Sequence, residues 1–322
     1  MNSGSAAPDH RNQGRPPARW STAIGIFVGA AGLAFVARVL FRSRDEVAEA
    51  ISQARLELLV LALALAAIGM TGIGFGWHFS LRALGARLPL NSSLRGYFVG
   101  QLGKYVPGGV WAVMGRGEWA RSEGVSGAIA YTSVLLSMGS AYLAALVVLA
   151  LALPVAALTQ TAVNGRYLSV LLLLPVGFAV LHPRILRRIL RLLSRVSGRT
   201  IEPAVPTWGV SIGVVMLQLP SWVMIGMASY VTALALGSSG QLVNILTATL
   251  ISWVLGFLAL PTPGGLGVRE AAFVALATSL PSAIAATVAV VTRLLFIVVD
   301  VAGAAIMTLV LSHRRTETRV RT

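Results

Sequence analysis

The sequence predicts an all-α polytopic membrane protein, with about six full spans and two re-entrant hairpins arranged as an inverted repeat. Three observations carry this expectation. Of 322 residues, 56% are hydrophobic and only 11% charged, less than half the charged share of an ordinary soluble domain. The 26 basic residues lie between long apolar runs instead of forming one stripe, as the positive-inside rule arranges them in a multi-pass protein. Two further apolar stretches each end in Pro-Gly-Gly. A net charge of +15 would by itself suggest nucleic acid; the hydropathy argues against that partner. Cysteine is absent, which removes disulfides, thiolate nucleophiles and cysteine metal sites together.

Residues 1–19 are polar, carry Arg11, Arg15 and Arg19, and read as a cytoplasmic tail. The apolar run 20–41 is long enough to span and too long for the core of a cleaved signal peptide. Further spans are expected at 58–80, 126–153, 167–181, 208–236 and 281–311. Residues 97–111 and 245–260 fit less easily, the first being short and containing Lys104, the second running into Pro261, Pro263, Gly264 and Gly265. Such residues break helices, and broken backbone at membrane depth survives only inside protein or beside a wet cavity. The two stretches therefore read as hairpins turning at Pro107, Gly108, Gly109 and at Pro263, Gly264, Gly265.

A shift of 156 positions superposes Gly100, Leu102, Pro107, Gly108 and Gly109 on Gly256, Leu258, Pro263, Gly264 and Gly265, with Tyr97 on Trp253. Charge counting bears on whether the hairpins span. With both re-entrant, 18 basic residues lie on the inner side and five outside; with both spanning, the division is 11 to 12 and the bias disappears. The rule thus favours re-entrance, with both termini cytoplasmic. The expected organisation is one membrane domain over 20–311, with repeats at about 58–153 and 208–311 inverted by segment 167–181, and a second cytoplasmic tail at 312–322. Inverted repeats with broken helices meeting near the midplane are the architecture of many secondary transporters.

The strings GQLGKYVPGGVW at 100–111, LPTPGGLGVRE at 260–270 and TRLLFIVVD at 292–300 resemble the lysylphosphatidylglycerol synthase transmembrane region, or flippase-like, family, over nearly the whole of 20–311. The resemblance implies membrane lipid handling. In members fused to a soluble aminoacyltransferase, the membrane portion is taken to move aminoacylated phospholipid between leaflets; others stand alone or accompany glycosyltransferases. With only 11 residues after Leu311, this chain reads as a stand-alone member, and lysyl transfer is not implied.

Seven charged residues are candidates for contact with a headgroup. Lys104, the only lysine, precedes the first Pro-Gly-Gly in an apolar arm, where a cation is costly unless solvated or paired; it reads either as a phosphate ligand or as a snorkelling side chain. Arg116 with Glu118, and Arg269 with Glu270, follow the two turns at nine and six residues, as headgroup clamps or as ion pairs fixing the hairpins. Arg293 and Asp300, seven apart, share one face of the final span. Charged residues at that depth face the bundle interior and mark functional sites by default; the alternative is a structural pair holding the last helix to a hairpin. The segment 183–199 spaces six arginines among apolar residues in the pattern of an interfacial helix. The four histidines are far apart, so no metal site is expected, and no nucleophile, Walker or dinucleotide motif suggests an enzyme or a cofactor.

The leading expectation is a lipid carrier of the cell membrane, binding or moving an anionic or aminoacylated phospholipid or a polyprenyl-linked headgroup, with membrane phospholipids as partners. The alternative is a non-catalytic scaffold subunit for a lipid-modifying or glycosyltransferase enzyme. Homo-oligomerisation stays open.

Overall fold

The computed structural model describes residues 38, 41–42, 44–106, 110–158, 165–196, 204–259 and 262–320, which contain helices and, among the described residues, no strand. Among the described residues, four helices are long and apolar enough to cross a membrane: α2 (Leu56–Ala83), α5 (Gly127–Leu158, apolar over Gly127–Ala156), α8 (Trp208–Ala235) and α11 (Ser282–Val320, apolar over Ser282–Leu309). At 1.5 Å per residue, 28 residues reach about 42 Å, enough for the roughly 30 Å hydrocarbon layer with tilt. They match four of the six expected spans. A short helix, α1 (Arg44–Ser52), precedes them; the expected first span, 20–41, lies outside the described residues apart from single positions.

The expected span at 167–181 is built of a 3-10 stretch, Gly165–Leu172, leading into α6 (Leu173–Leu181), with α7 (Pro183–Val196) following at 78°. Proline supplies both departures. Pro175 has no N–H to bond the carbonyl of Leu171, so the preceding turns tighten. His182, before Pro183, is driven to ψ 131, which ends the helix. The described residues thus contain four membrane-crossing helices, or five with the bent pair counted as one.

The most extensive helix contact joins α2 to α8. Small residues allow it: a methyl group at Gly69 would lie 2.9 Å from the carbonyl oxygen of Ser221, and one at Gly76 would lie 2.6 Å from the Gln218 side chain. Between lipid-exposed helices, which gain little from the hydrophobic effect, such close approach is the main source of association. Beside this seam an apolar groove of about 650 Å³ opens between Ile68, Phe75, Phe79, Leu217 and Met224.

The two Pro-Gly-Gly stretches are antiparallel pairs of short helices, α3 (Leu90–Gln101) with α4 (Trp111–Ser122), and α9 (Leu242–Leu258) with α10 (Val268–Leu276). Pro107, Gly108 and Gly109 lie outside the described residues; α3 ends just before them in a 3-10 turn, Leu102–Tyr105. In the second pair, Pro263–Gly265 forms the turn, and Gly264, Gly265 and Gly267 take φ of 55°, 69° and 81°, conformations that a Cβ penalises. Both pairs close on glycine. A methyl at Gly115 would come within 3.3 Å of Gly100 Cα, and one at Gly265 within 2.8 Å of Gly256 Cα.

Candidate functional site

The tips of the two broken helices meet. Gly264 sits against the backbone of Lys104 and near the guanidinium of Arg293, 3.5 Å from where a methyl on Gly264 would lie. Around this contact the chain assembles most of its interior charge. Lys104 Nζ pairs with Asp300 Oδ2 at 2.6 Å, and the Tyr105 hydroxyl donates to the same oxygen at 2.6 Å. Asp300 is fully buried, and its Oδ1 has no hydrogen-bond partner among the described residues. Two turns back on α11, Arg293 pairs with Glu270 of α10, whose other oxygen accepts the Gly267 N–H at 2.7 Å and so caps that helix. One helix, α11, therefore holds both tips: Asp300 the first, Arg293 the second.

Arg269 and Arg116 are held differently. Arg269 lies 3.5 Å above the ring of Trp253 and 5.2 Å from that of Phe296, while Arg116, buried on α4, lies 5.7 Å over Tyr97. Neither has a carboxylate within 4 Å among the described residues. A desolvated cation over an aromatic face gains about 2 kcal/mol, which offsets burial in part but cancels no charge. Tyr142, on α5, stacks on Phe257 at 3.8 Å and is within electrostatic reach of both arginines. The cluster at the tips thus holds Lys104, Arg269 and Arg293 against Glu270 and Asp300, one positive charge in excess, with Arg116 buried apart beside Tyr97.

Of the seven candidate side chains, five (Lys104, Arg269, Glu270, Arg293 and Asp300) are in this cluster, paired otherwise than their sequence neighbourhoods suggest. Glu118 stands apart from Arg116, partly exposed, bound to Arg121 at 2.9 Å and to the Tyr131 hydroxyl at 2.5 Å. Positions i and i+2 are 200° apart on a helix, so Arg116 and Glu118 leave opposite sides. Arg269 and Glu270, adjacent and 100° apart, turn to different partners: Arg269 to the face of Trp253, Glu270 to Arg293 and the Gly267 N–H. Tyr105 and Tyr142 were not singled out in the sequence: Tyr105 is signalled only by adjoining Lys104, and Tyr142 by nothing in an alanine- and leucine-rich helix. The pairing of Tyr97 with Trp253 in the repeat did mark two of the aromatic faces.

On the face of α7 described here, Arg184, Arg187, Arg188 and Arg191 fall within one 100° arc, opposite the buried Leu186.

These features define a multi-pass helical membrane protein with a charged site between two broken helices. The family model of the lysylphosphatidylglycerol synthase TM region matches residues 22–303, and the chain belongs to that family. Comparison with curated proteins finds no match.

Proposed function

We propose that this chain is a lipid carrier of the cell membrane, not an enzyme, with six full spans and two re-entrant hairpins in inverted repeat, passing a phospholipid or polyprenyl-linked headgroup between leaflets while the acyl chains stay in lipid. The observation that carries the reading is the meeting of the two helix tips, Lys104 against Gly264, at a cluster with excess positive charge. Fixed charges there lower the cost of drawing a polar headgroup through hydrocarbon.

The repeat is supported by matched construction. In the first hairpin Gly100 backs onto Gly115 and Arg116 covers Tyr97; in the second, Gly256 backs onto Gly265 and Arg269 covers Trp253. Gly100 and Tyr97 are each 156 positions from their counterparts. The inward-termini orientation is supported by the charge bias, which survives when the interior residues Arg116 and Arg269 are removed from the loops: 17 basic residues inside against four outside.

The test is reconstitution in liposomes containing a fluorescent phospholipid. The protein should speed exposure of the probe to an external quencher, and Lys104→Ala and Arg293→Ala, checked as monodisperse in detergent, should slow it. No acceleration over protein-free liposomes with anionic, aminoacylated and polyprenyl-linked probes overturns the proposal.

A further inference from the structure

Away from the hairpin tips, the arginine face of α7 is a second concentration of positive charge. No Asp or Glu occurs in the sequence between Glu123 and Glu202, and Arg184, Arg187 and Arg188 pair with no carboxylate among the described residues. The bend before α7 sets where this face lies. α6 packs against the crossing helix α5 and ends beside Trp208, the first residue of the crossing helix α8, whose ring is 6.3 Å from that of Phe178 and 5.3 Å from that of His182. A tryptophan at the end of a span sits at the level of the headgroups. The 78° turn at that level sends α7 along the membrane surface instead of across it, and carrying its arginines through hydrocarbon would be costly.

The circumference of α7 divides into three parts. Leu186, 3% exposed, faces the protein. Arg184, Arg187, Arg188 and Arg191 cover an exposed arc centred about 150° away. Between the two, one residue and one heptad apart on a single line, Ile185 and Leu192 are 36% and 61% exposed. An exposed apolar line flanking a row of arginines is poorly served by water and by hydrocarbon alike. At the boundary between them the apolar side chains enter the acyl region while the arginines extend to the headgroups. We propose that α7 is a docking surface for the membrane leaflet itself, gathering lipids of net negative charge along its arginines. With no carboxylate on the helix to offset them, the arginines favour anionic over zwitterionic headgroups. This surface is separate from the cluster at the hairpin tips, and the proposal does not rest on the carrier reading.

The test places a fluorophore on Leu192→Cys, in the full-length chain, which has no native cysteine, and on Val60→Cys, exposed on α2 near the paired Arg55 and Glu57. Each labelled protein is reconstituted in phosphatidylcholine nanodiscs containing a small fraction of brominated phosphatidylglycerol or of brominated phosphatidylcholine, and quenching is read per mole of brominated lipid. At position 192 the anionic lipid should quench at least about threefold more than the zwitterionic one, from the attraction of several surface arginines, and at position 60 the two should quench alike. In about 1 M salt, where the screening length is about 3 Å, the preference at 192 should vanish. Replacing Arg184, Arg187 and Arg188 together by Gln should abolish it, and replacing them by Lys should preserve it; if the Gln variant does not insert, the wild-type comparison of the two positions and its salt dependence decide. Equal quenching by both lipids at position 192, or the same preference at position 60, overturns the proposal. A label at 192 that neither lipid quenches and that aqueous acrylamide reaches freely also overturns it, and assigns the arginine face to an acidic partner in the aqueous phase.

Discussion

Lys104, on the turn that ends the first broken helix, and Asp300, on the last long helix, form a buried ion pair at 2.6 Å that ties the first hairpin tip to α11. Arg293, two turns earlier on α11, ties the second tip through Glu270. Motion of either hairpin relative to α11 must break one of these pairs, so the same contacts govern stability and access to the site.

Removing one partner of a buried pair costs about 3–5 kcal/mol because the other charge is stranded. Lys104→Met and Asp300→Asn should each lower unfolding free energy by an amount of that order, measured by denaturant titration in mixed micelles. The double variant should lose less than the sum, with a coupling of roughly 1–3 kcal/mol. Strictly additive losses would show that the pair does not form.

Gly265 and Gly85 both have positive φ, 69° and 89°, but only Gly265 has a backbone within 3 Å of where a methyl would go. Gly85→Ala should cost about 1 kcal/mol, the left-handed penalty alone. Gly265→Ala should cost about 1–3 kcal/mol more, for overpacking the hairpin. Equal melting shifts for the two variants would contradict the close approach of Gly256.

The α2–α8 seam predicts opposite signs for two substitutions. A methyl at Gly69 meets Ile225 and the carbonyl of Ser221 at under 3 Å, whereas Gly213 has open space around it. Gly69→Ala should destabilise by about 1–3 kcal/mol, and Gly213→Ala should stabilise by about 0.5–1 kcal/mol through reduced backbone entropy. Thermal unfolding of the two variants checks both.

The orientation is open to labelling because the chain has no native cysteine. Arg187 on α7 and Ser239 in the loop between α8 and α9 are both exposed. In intact cells an impermeant thiol reagent should spare Arg187→Cys and label Ser239→Cys. The reverse pattern would put the six-arginine segment outside and remove the inverted arrangement.

The long helices and hairpins were legible because their signals are local. Apolar runs longer than the hydrocarbon layer gave α2, α5, α8 and α11, and Pro-Gly-Gly marked both breaks, since proline lacks a donor and glycine alone takes positive φ without strain. The run at 167–181 is apolar enough to count, with the helix after its bend, as a fifth crossing, while Pro175 and Pro183 interrupt its hydrogen-bond ladder.

By itself the sequence determined that Lys104, Arg293 and Asp300 are charges within apolar segments, and hence candidates for an interior site. Their partners were decided by tertiary structure. Sequence neighbours such as Arg116 and Glu118, or Arg269 and Glu270, leave a helix in different directions, so the interior charges are satisfied by groups on other helices. Lys104 is satisfied by Asp300, Arg293 by Glu270, Arg269 by the face of Trp253, and Glu118 by its helical neighbour Arg121 together with Tyr131 on α5. The positive excess at the hairpin tips exists only once the two halves of the chain are packed together.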